Sequence, residues 1–353
     1  MNDFREIKST ELPENPLVSI IVCSHNRAEY IGQTLDSILA QQCNFDFEIV
    51  VGDDCSEEPT RTLLKQYQQN FPQKIRLVFQ NENIGLAANW AVCVKLCKGK
   101  YIAQCDDDDF WHATNKLQIQ ADYLDQNPDC STVYTNSLIV STLTGNTAKY
   151  IIDDIKYTDK LINIIFYTQK FKAHASTFMY RTDDLLKYVP LDDYIKYRFT
   201  LQDWGTLCLL SAHTRLHYLP QITTTYRFDN YGITRPQSYE KLLVRMKKEK
   251  ELYSFICEKL PEHCKYNEKR YDAYIDKVCM SFGYRANNYE IAHHHAKEIL
   301  KSRYFIDKKA FFALTKWSFR LFVETKKIKY TLKAAYILSF YNIKKYCNFA
   351  EKF

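Results

Sequence analysis

The chain has 353 residues, a net charge of +6, 46% hydrophobic and 25% charged residues. That composition is globular and excludes global disorder, and the length suits one large domain or two ordinary ones. With 8 Gly and 9 Pro it is no collagen-like or low-complexity chain, and no run of 18 apolar residues predicts a transmembrane helix.

The opening MNDFREIKSTELPENP is polar and charged and does not read as a signal peptide. The 12 cysteines are scattered, and Cys23, Cys105 and Cys208 sit in apolar runs as small hydrophobes. Cys93 and Cys97 are one helical turn apart, which suits a helix face better than zinc. A reducing, cytoplasmic setting is expected. Charge is uneven: residues 301–353 hold 13 Lys+Arg against 3 Asp+Glu, so the first 300 residues carry a net −4.

In chain order, LVSIIVC (17–23) predicts a buried parallel strand, and Ser24-His25-Asn26 follows it, with Asn26 as a helix cap. Tyr30, Ile31, Thr34, Leu35, Ile38 and Leu39 recur at helical spacing. A strand at 47–51 runs into Gly52-Asp53-Asp54-Cys55-Ser56, and Pro59 opens a helix to about Phe71. Strand 75–79, a helix over 86–98 ending at Gly99, and strand 101–105 come next. A helix at 113–126 and a strand at 131–140 follow, then loop and a short helix over 141–172. Strand 176–181, helix 204–212 and two strands around Pro220 complete this half. After about Gln237 only helices are predicted, over 238–260, 267–287, 289–302, 307–325 and 328–346. Alternating strands and helices predict an open, mostly parallel sheet with ligands at the strands' carboxyl ends. Residues 24–27, 52–56 and 106–109 all fall there, so one shared crevice is expected.

Asp106-Asp107-Asp108-Asp109 is the sharpest feature. On a surface helix such a run is a solvated patch. At the end of a buried strand the carboxylates repel one another, and a hard divalent cation, Mn²⁺ or Mg²⁺, relieves that with help from phosphate oxygens.

VSIIVCSHNR, EIVVGDDCS, NIGLAANW, GKYIAQCDDDDFW and KLQIQ, in this order over roughly 16–235, resemble the pattern of glycosyltransferase family 2. The resemblance implies a GT-A fold, an α/β Rossmann-like, mostly parallel central sheet, over 1–236, followed by an α-helical, basic C-terminal region over 237–353. It also implies metal-dependent, inverting transfer of a sugar from a nucleotide diphosphate donor. In that pattern the acidic run is the DxD element, so Asp106 contacts ribose, diphosphate or metal and Asp108 ligates metal. Asp107 and Asp109 fill the neighbouring places. Cys23, Ser24, Asn26 and Arg27 fall where the family holds base and diphosphate, and Asn83 and Gly85 lie in a donor-side loop. Asp54 matches a carboxylate that accepts a base N–H, which suits a UDP-sugar without excluding guanosine; an Asx turn at Asp53/Asp54 is the local alternative. Ala88 stands where the family often has Arg.

Gln202-Asp203-Trp204 resembles the family's ED-type motif, and Asp203 becomes the candidate base, with a plain helix cap as its alternative. Trp111, His174, Trp204, Arg227 and Asp229 are candidate acceptor or diphosphate contacts, Asp229 standing where many members have His. His293-His294-His295 reads as a solvent face. The basic, aromatic stretch 310–346 either packs on the catalytic domain or lies on an anionic membrane surface. No nucleic-acid module accompanies it, and an oligomer is left open. The expected acceptor is a glycan or lipid-linked glycan in surface polysaccharide synthesis, at the inner face of the membrane. A nucleotidyltransferase and an inactive nucleotide- or sugar-binding scaffold are the alternatives.

Overall fold

A computed structural model of the chain describes residues 4–141, 147–150, 173–228, 236–263 and 267–302. The chain divides into two compact units, Met1–Thr234 with Lys248–Lys265, and Arg235–Lys247 with Tyr266–Phe353.

The first unit is built on a ten-stranded mixed sheet. Its centre is parallel: β2 (Val18–Ser24) pairs with β3 (Phe47–Asp53) and β5 (Tyr101–Gln104), and β3 pairs with β4 (Ile75–Gln80). These are the apolar, β-branched runs, and they are buried along nearly their whole length because helices cover both faces. The helices α1 (Ile31–Leu39), α2 (Glu58–Asn70) and α3 (Leu86–Leu96) make the crossovers. The other half is mixed: β9 (Phe178–Arg181) runs antiparallel to β5 and to β7 (Cys130–Ser141), and β10 (Arg215–Phe228) runs parallel to β7. Helices α4 (Lys116–Gln126), α5 (Thr182–Tyr188), α6 (Leu191–Tyr197) and α7 (Gln202–Ser211) complete this unit's layers, with the second part of α8 (Tyr239–Lys259).

Several local expectations are corrected. An edge strand β1 (Phe4–Ile7) pairs antiparallel with β4; its FREI sequence lacks an apolar run because an edge needs none. A two-residue β6 (Phe110–Trp111) follows the acidic run and pairs with β10. The two strands around Pro220 form one strand, and a register shift between Tyr218 and Ile222 absorbs the missing N–H. A short β8 (Thr147–Tyr150) pairs with β7 inside the stretch read as loop; the rest of 142–172 lies outside the described residues. The tail 303–353, with its membrane reading, also lies outside them. Among described residues, no helix is long and apolar enough to cross a membrane.

Gly99 does not act as a left-handed helix terminator: α3 stops at Leu96 with Cys97 as its cap, and Gly85 is the one described glycine with positive φ. The absence of a side chain at Gly99 is required by packing. A Cβ there would meet Ser19 N at 2.4 Å and Tyr101 O at 2.7 Å, both backbone atoms of central strands. Gly99→Ala is therefore expected to destabilise the fold by about 1–3 kcal/mol or more, read as a lower urea midpoint at unchanged slope.

Cys23, Cys105 and Cys208 are free, as are Cys93 and Cys97, and no group of three or more ligating side chains forms a metal cage among the described residues.

In the second unit, Leu242, Met246 and Cys279 form a small core between the start of α8 and α9 (Glu268–Arg285). Helix α10 (Tyr289–Ser302) carries the three histidines. They do not form one solvent face: His294 is exposed, but His295 is buried with Ala292, Ala296 and Ile299 on the helix's inner face. Its Nδ1 lies 2.7 Å from Asp276 Oδ1 and its Nε2 2.5 Å from Tyr239 OH.

Candidate functional site

Three loops meet at the carboxyl edge of the parallel strands, as the topology requires. The turn after β2 is tied to the one after β3 by Asp54 N–H donating to Ser24 O at 2.8 Å. His25 joins these two turns to the loop after β4 and to the acidic turn after β5. Its ring Nδ1–H donates to Asp54 O at 2.8 Å, which leaves Nε2 as the acceptor for the Asn83 amide at 3.3 Å, and its backbone N–H donates to Asp107 Oδ2 at 3.2 Å. Asn26 is corrected as a cap of α1, whose cap position is Tyr30. It adopts φ 56°, and its Oδ1 accepts the Glu57 N–H at 2.7 Å, at the head of α2.

Asp53 makes the Asx-type turn: Oδ2 accepts Ser56 N–H at 3.2 Å and pairs with Arg61 Nε at 2.9 Å. Asp54, 4% exposed, reaches across instead. Its two oxygens accept Ile84 N–H at 2.7 Å and Gly85 N–H at 2.9 Å. Gly85 sits at φ +87°, a conformation that favours glycine, so the loop presents both N–H groups to one carboxylate. Burial pushes the Asp54 carboxyl up, and the two N–H donors work against that. Ala88 is fully buried and offers no polar contact. Cys23 is partly buried, and its thiol is pushed well up by the Cys93 thiol, by burial and by Asp106 and Asp107. Ser24 is buried beside it.

The acidic run leaves β5 as a tight turn. Exposure alternates along it: Asp106 and Asp108 are partly open, whereas Asp107 is 9% exposed and Asp109 fully buried. Burial and the neighbouring carboxylates drive Asp106 up to about 8, with Asp108, Asp203 and Asp107 as the charges responsible. Burial and Asp108 drive Asp107 up to about 7, against the pull of Ser24, Arg27 and the His25 N–H. Arg27 faces the run, its guanidinium 3.8 Å from Asp107 and 3.7 Å from Asp108. The donor set is all carboxylate and crowded, which fits a hard divalent cation. Asp106 and Asp108 are the open members, and Mg²⁺-type sites commonly take one or two carboxylates with the remaining oxygens from phosphate and water.

Asp203 stands in the first turn of α7, its Oδ1 accepting the Trp204 N–H at 2.7 Å. Its charge helps raise the Asp106 carboxyl, so the two groups lie near one another. Burial pushes its own carboxyl above the ordinary range. Trp204 is half-buried next to it.

The other expected contacts divide. Trp111 is 3% exposed and its Nε1–H donates to Ser176 O at 2.9 Å; enclosed in the core, it offers an acceptor no ring face. His174 stacks on Tyr226 at 4.1 Å beside the crevice. Arg227 is a clamp on the acidic turn rather than a free ligand. Its guanidinium donates to Asp108 O at 2.5 Å and to Gln33 Oε1, and lies 4.8 Å from the Phe110 ring and 5.1 Å from that of Tyr30. Asp229 lies outside the described residues.

Three contributors escaped sequence reading. His25 stood inside a recognised segment but signalled nothing by itself. Thr34 reads as one more position on α1's inner face, yet its hydroxyl is 2.6 Å from Asp109 O. Ser176 reads as strand, and its role depends on contacts nearly 70 residues away in sequence.

Comparison with known proteins agrees with this architecture. The sequence profile of Glycosyl transferase family 2 matches residues 19–188. An uncharacterized Mycobacterium tuberculosis protein is 34% identical over 117 residues, 33% of this chain and 34% of its own length. The chain thus spans about a third of the curated mycobacterial relatives it matches. A putative teichuronic acid biosynthesis glycosyltransferase of Bacillus subtilis is 36% identical over 109 residues, 31% of this chain and 42% of its own. Among solved structures, S. aureus TarS 1–349 in complex with UDP-GlcNAc superposes with TM-score 0.52 at 18% identity, over 85% of this chain and 80% of that one. A mannosyltransferase from Pyrobaculum calidifontis in complex with GDP-Man and Mn²⁺ gives TM-score 0.50 at 16% identity, over 92% and 85%. Residues 19–188, which carry the three converging loops and the acidic turn, form a glycosyl transferase family 2 domain on a GT-A-type fold.

Proposed function

We propose that the protein is a metal-dependent, inverting glycosyltransferase that moves a sugar from a nucleoside diphosphate to a hydroxyl of a glycan or lipid-linked glycan. The observation that carries this is the partly open Asp106/Asp108 pair at the carboxyl edge of the parallel strands, near enough to Asp203 for its charge to raise Asp106. The family match supports it, as do TarS with its UDP-GlcNAc and the mannosyltransferase with its GDP-Man and Mn²⁺.

In this reading Asp106 and Asp108 hold Mn²⁺ or Mg²⁺, which supplies charge neutralisation at the departing diphosphate. Asp203 accepts the acceptor hydroxyl's proton as that oxygen bonds to the anomeric carbon. The bond from that carbon to the diphosphate breaks, and its electron pair leaves with the diphosphate oxygen. A carboxyl raised by burial is the stronger base for this task. Cys23, Ser24, Asn26, Arg27, Asn83 and Gly85 surround the nucleotide, Asp107 flanks it through the β2 turn, and Arg27 is the one among them that carries charge to the diphosphate.

The base favoured is uracil. Asp54 already accepts two backbone N–H groups, and the remaining lone pairs of a carboxylate suit an imide N–H. The C-terminal region 237–353 serves acceptor, membrane or subunit contacts, with the protein at the cytoplasmic face of the membrane making surface polysaccharide. Calorimetry with UDP, GDP, dTDP and CDP, each with Mn²⁺ and with chelator, tests the donor site. Metal-dependent binding of one nucleotide, UDP first, is the expected result. Silence across the panel with folded protein sinks the assignment.

A further inference from the structure

We infer that Ser176 and Asp109 act together as a positioning pair, setting the backbone of the acidic turn so that the Asp106 and Asp108 carboxylates can share one cation. The inference rests on the donor-site reading above.

Asp109 cannot itself be a ligand. It is fully buried and both of its oxygens are used: Oδ2 accepts the Ser176 hydroxyl at 2.6 Å, and Oδ1 accepts the Arg227 N–H at 3.1 Å. Its own backbone is held too, with the Thr34 hydroxyl 2.6 Å from its carbonyl oxygen and its N–H donating to Asp106 O at 3.1 Å. A carboxylate spent on neighbours of the turn is an anchor.

Ser176 is the second half of the anchor. A hydroxyl has one proton, and Asp109 takes it. The Ser176 lone pair is thereby turned toward Asp106, whose N–H it accepts at 2.9 Å. The carbonyl of the same residue accepts Trp111 Nε1–H at 2.9 Å. Ser176, in the single 3₁₀ turn Ala175–Thr177, thus grips the acidic turn at its first residue and again just beyond its last. Arg227 closes the remaining side through Asp108 O. Among these groups, Ser176 is the one whose side chain bonds both to Asp109 and to the backbone of an open carboxylate. Groups behind metal ligands that fix their orientation change metal affinity by about 10–100-fold when removed.

The experiment is an electron-paramagnetic-resonance titration of Mn²⁺, alone and with UDP or GDP, on wild type, Ser176→Ala, Asp109→Asn and the double variant. Thermal unfolding in chelator is recorded for each. Ser176→Ala removes a single oxygen, so it keeps the test available should Asp109→Asn fail to fold. A positioning pair predicts Mn²⁺ affinity lowered about 10–100-fold per folded molecule in either single variant. It also predicts a double variant about as weak as the weaker single one, because the two act through one chain of bonds. Wild-type Mn²⁺ affinity in folded Ser176→Ala, whatever its midpoint, overturns the inference and leaves Ser176 a packing residue. Wild type that binds no Mn²⁺ under any of these conditions overturns the donor-site reading and this inference with it.

Discussion

Replacing Asp203 by Asn is expected to lower kcat by about 10²–10⁴-fold while metal-dependent nucleotide binding persists. The variant separates chemistry from architecture. Asn keeps the size of the side chain and an oxygen for the Trp204 N–H, the 2.7 Å bond that fixes the group in the first turn of α7. It cannot accept a proton at neutral pH. It also removes a negative charge that pushes Asp106 up, which eases ionisation of Asp106 and offsets the lost attraction for the cation, so metal binding should persist. In wild type, burial raises the Asp203 carboxyl, so the acid limb of the rate should lie above the ordinary carboxylate range, and the variant should lose that limb. Nucleoside diphosphate release measured against pH, beside calorimetry of the nucleotide, reads both halves. A variant that turns over within a few-fold of wild type would remove Asp203 from the base role and move the search to other crevice groups.

The site was more legible than the contacts that hold it. Parallel central strands were readable because full burial on two faces writes itself as continuous β-branched runs, and sheet topology then carries 24–27, 52–56 and 106–109 to one edge. What joins those segments was not readable, since it is made of single polar groups distant in the chain. His25 with Asp107, Asp54 with Ile84, Ser176 with Asp106 and Arg227 with Asp108 have no local signature. Local rules also failed where tertiary contact outbid them. Asn26 has the composition of a cap for the helix that follows it, but its amide oxygen serves the head of α2. Gly99 has the position of a helix terminator, but crowding against Ser19 N explains it. The histidine triplet on α10 looked polar throughout, and the helical period nevertheless turns His295 inward to Asp276 and Tyr239.

Asp108→Asn is expected to abolish metal-dependent nucleotide binding and, in the same molecule, to make the metal-free protein more stable above pH 7. Asp108 is the charge that, after burial, raises Asp106 and Asp107 most, and it also raises Asp109. Asp106 titrates near 8 and Asp107 near 7 when folded, against about 3.9 for an unfolded Asp. Folded protein therefore binds more protons than unfolded protein between about pH 4 and pH 8. Stability from these two groups is fully present below the unfolded value and is lost as pH rises through 7 and 8. In chelator, wild type should melt at a lower temperature at pH 8 than at pH 6, and Mn²⁺ should restore it at pH 8 because cation binding draws off the same protons. Removing the Asp108 charge lets its neighbours ionise more easily, so the melting temperature of Asp108→Asn should vary less with pH and not respond to Mn²⁺. Thermal unfolding of both proteins at pH 6 and pH 8, with chelator and with Mn²⁺, decides it. A wild type whose metal-free stability is flat over this range, or a variant that Mn²⁺ still stabilises, would show that the acidic turn is not the strained, cation-seeking element its crowding indicates.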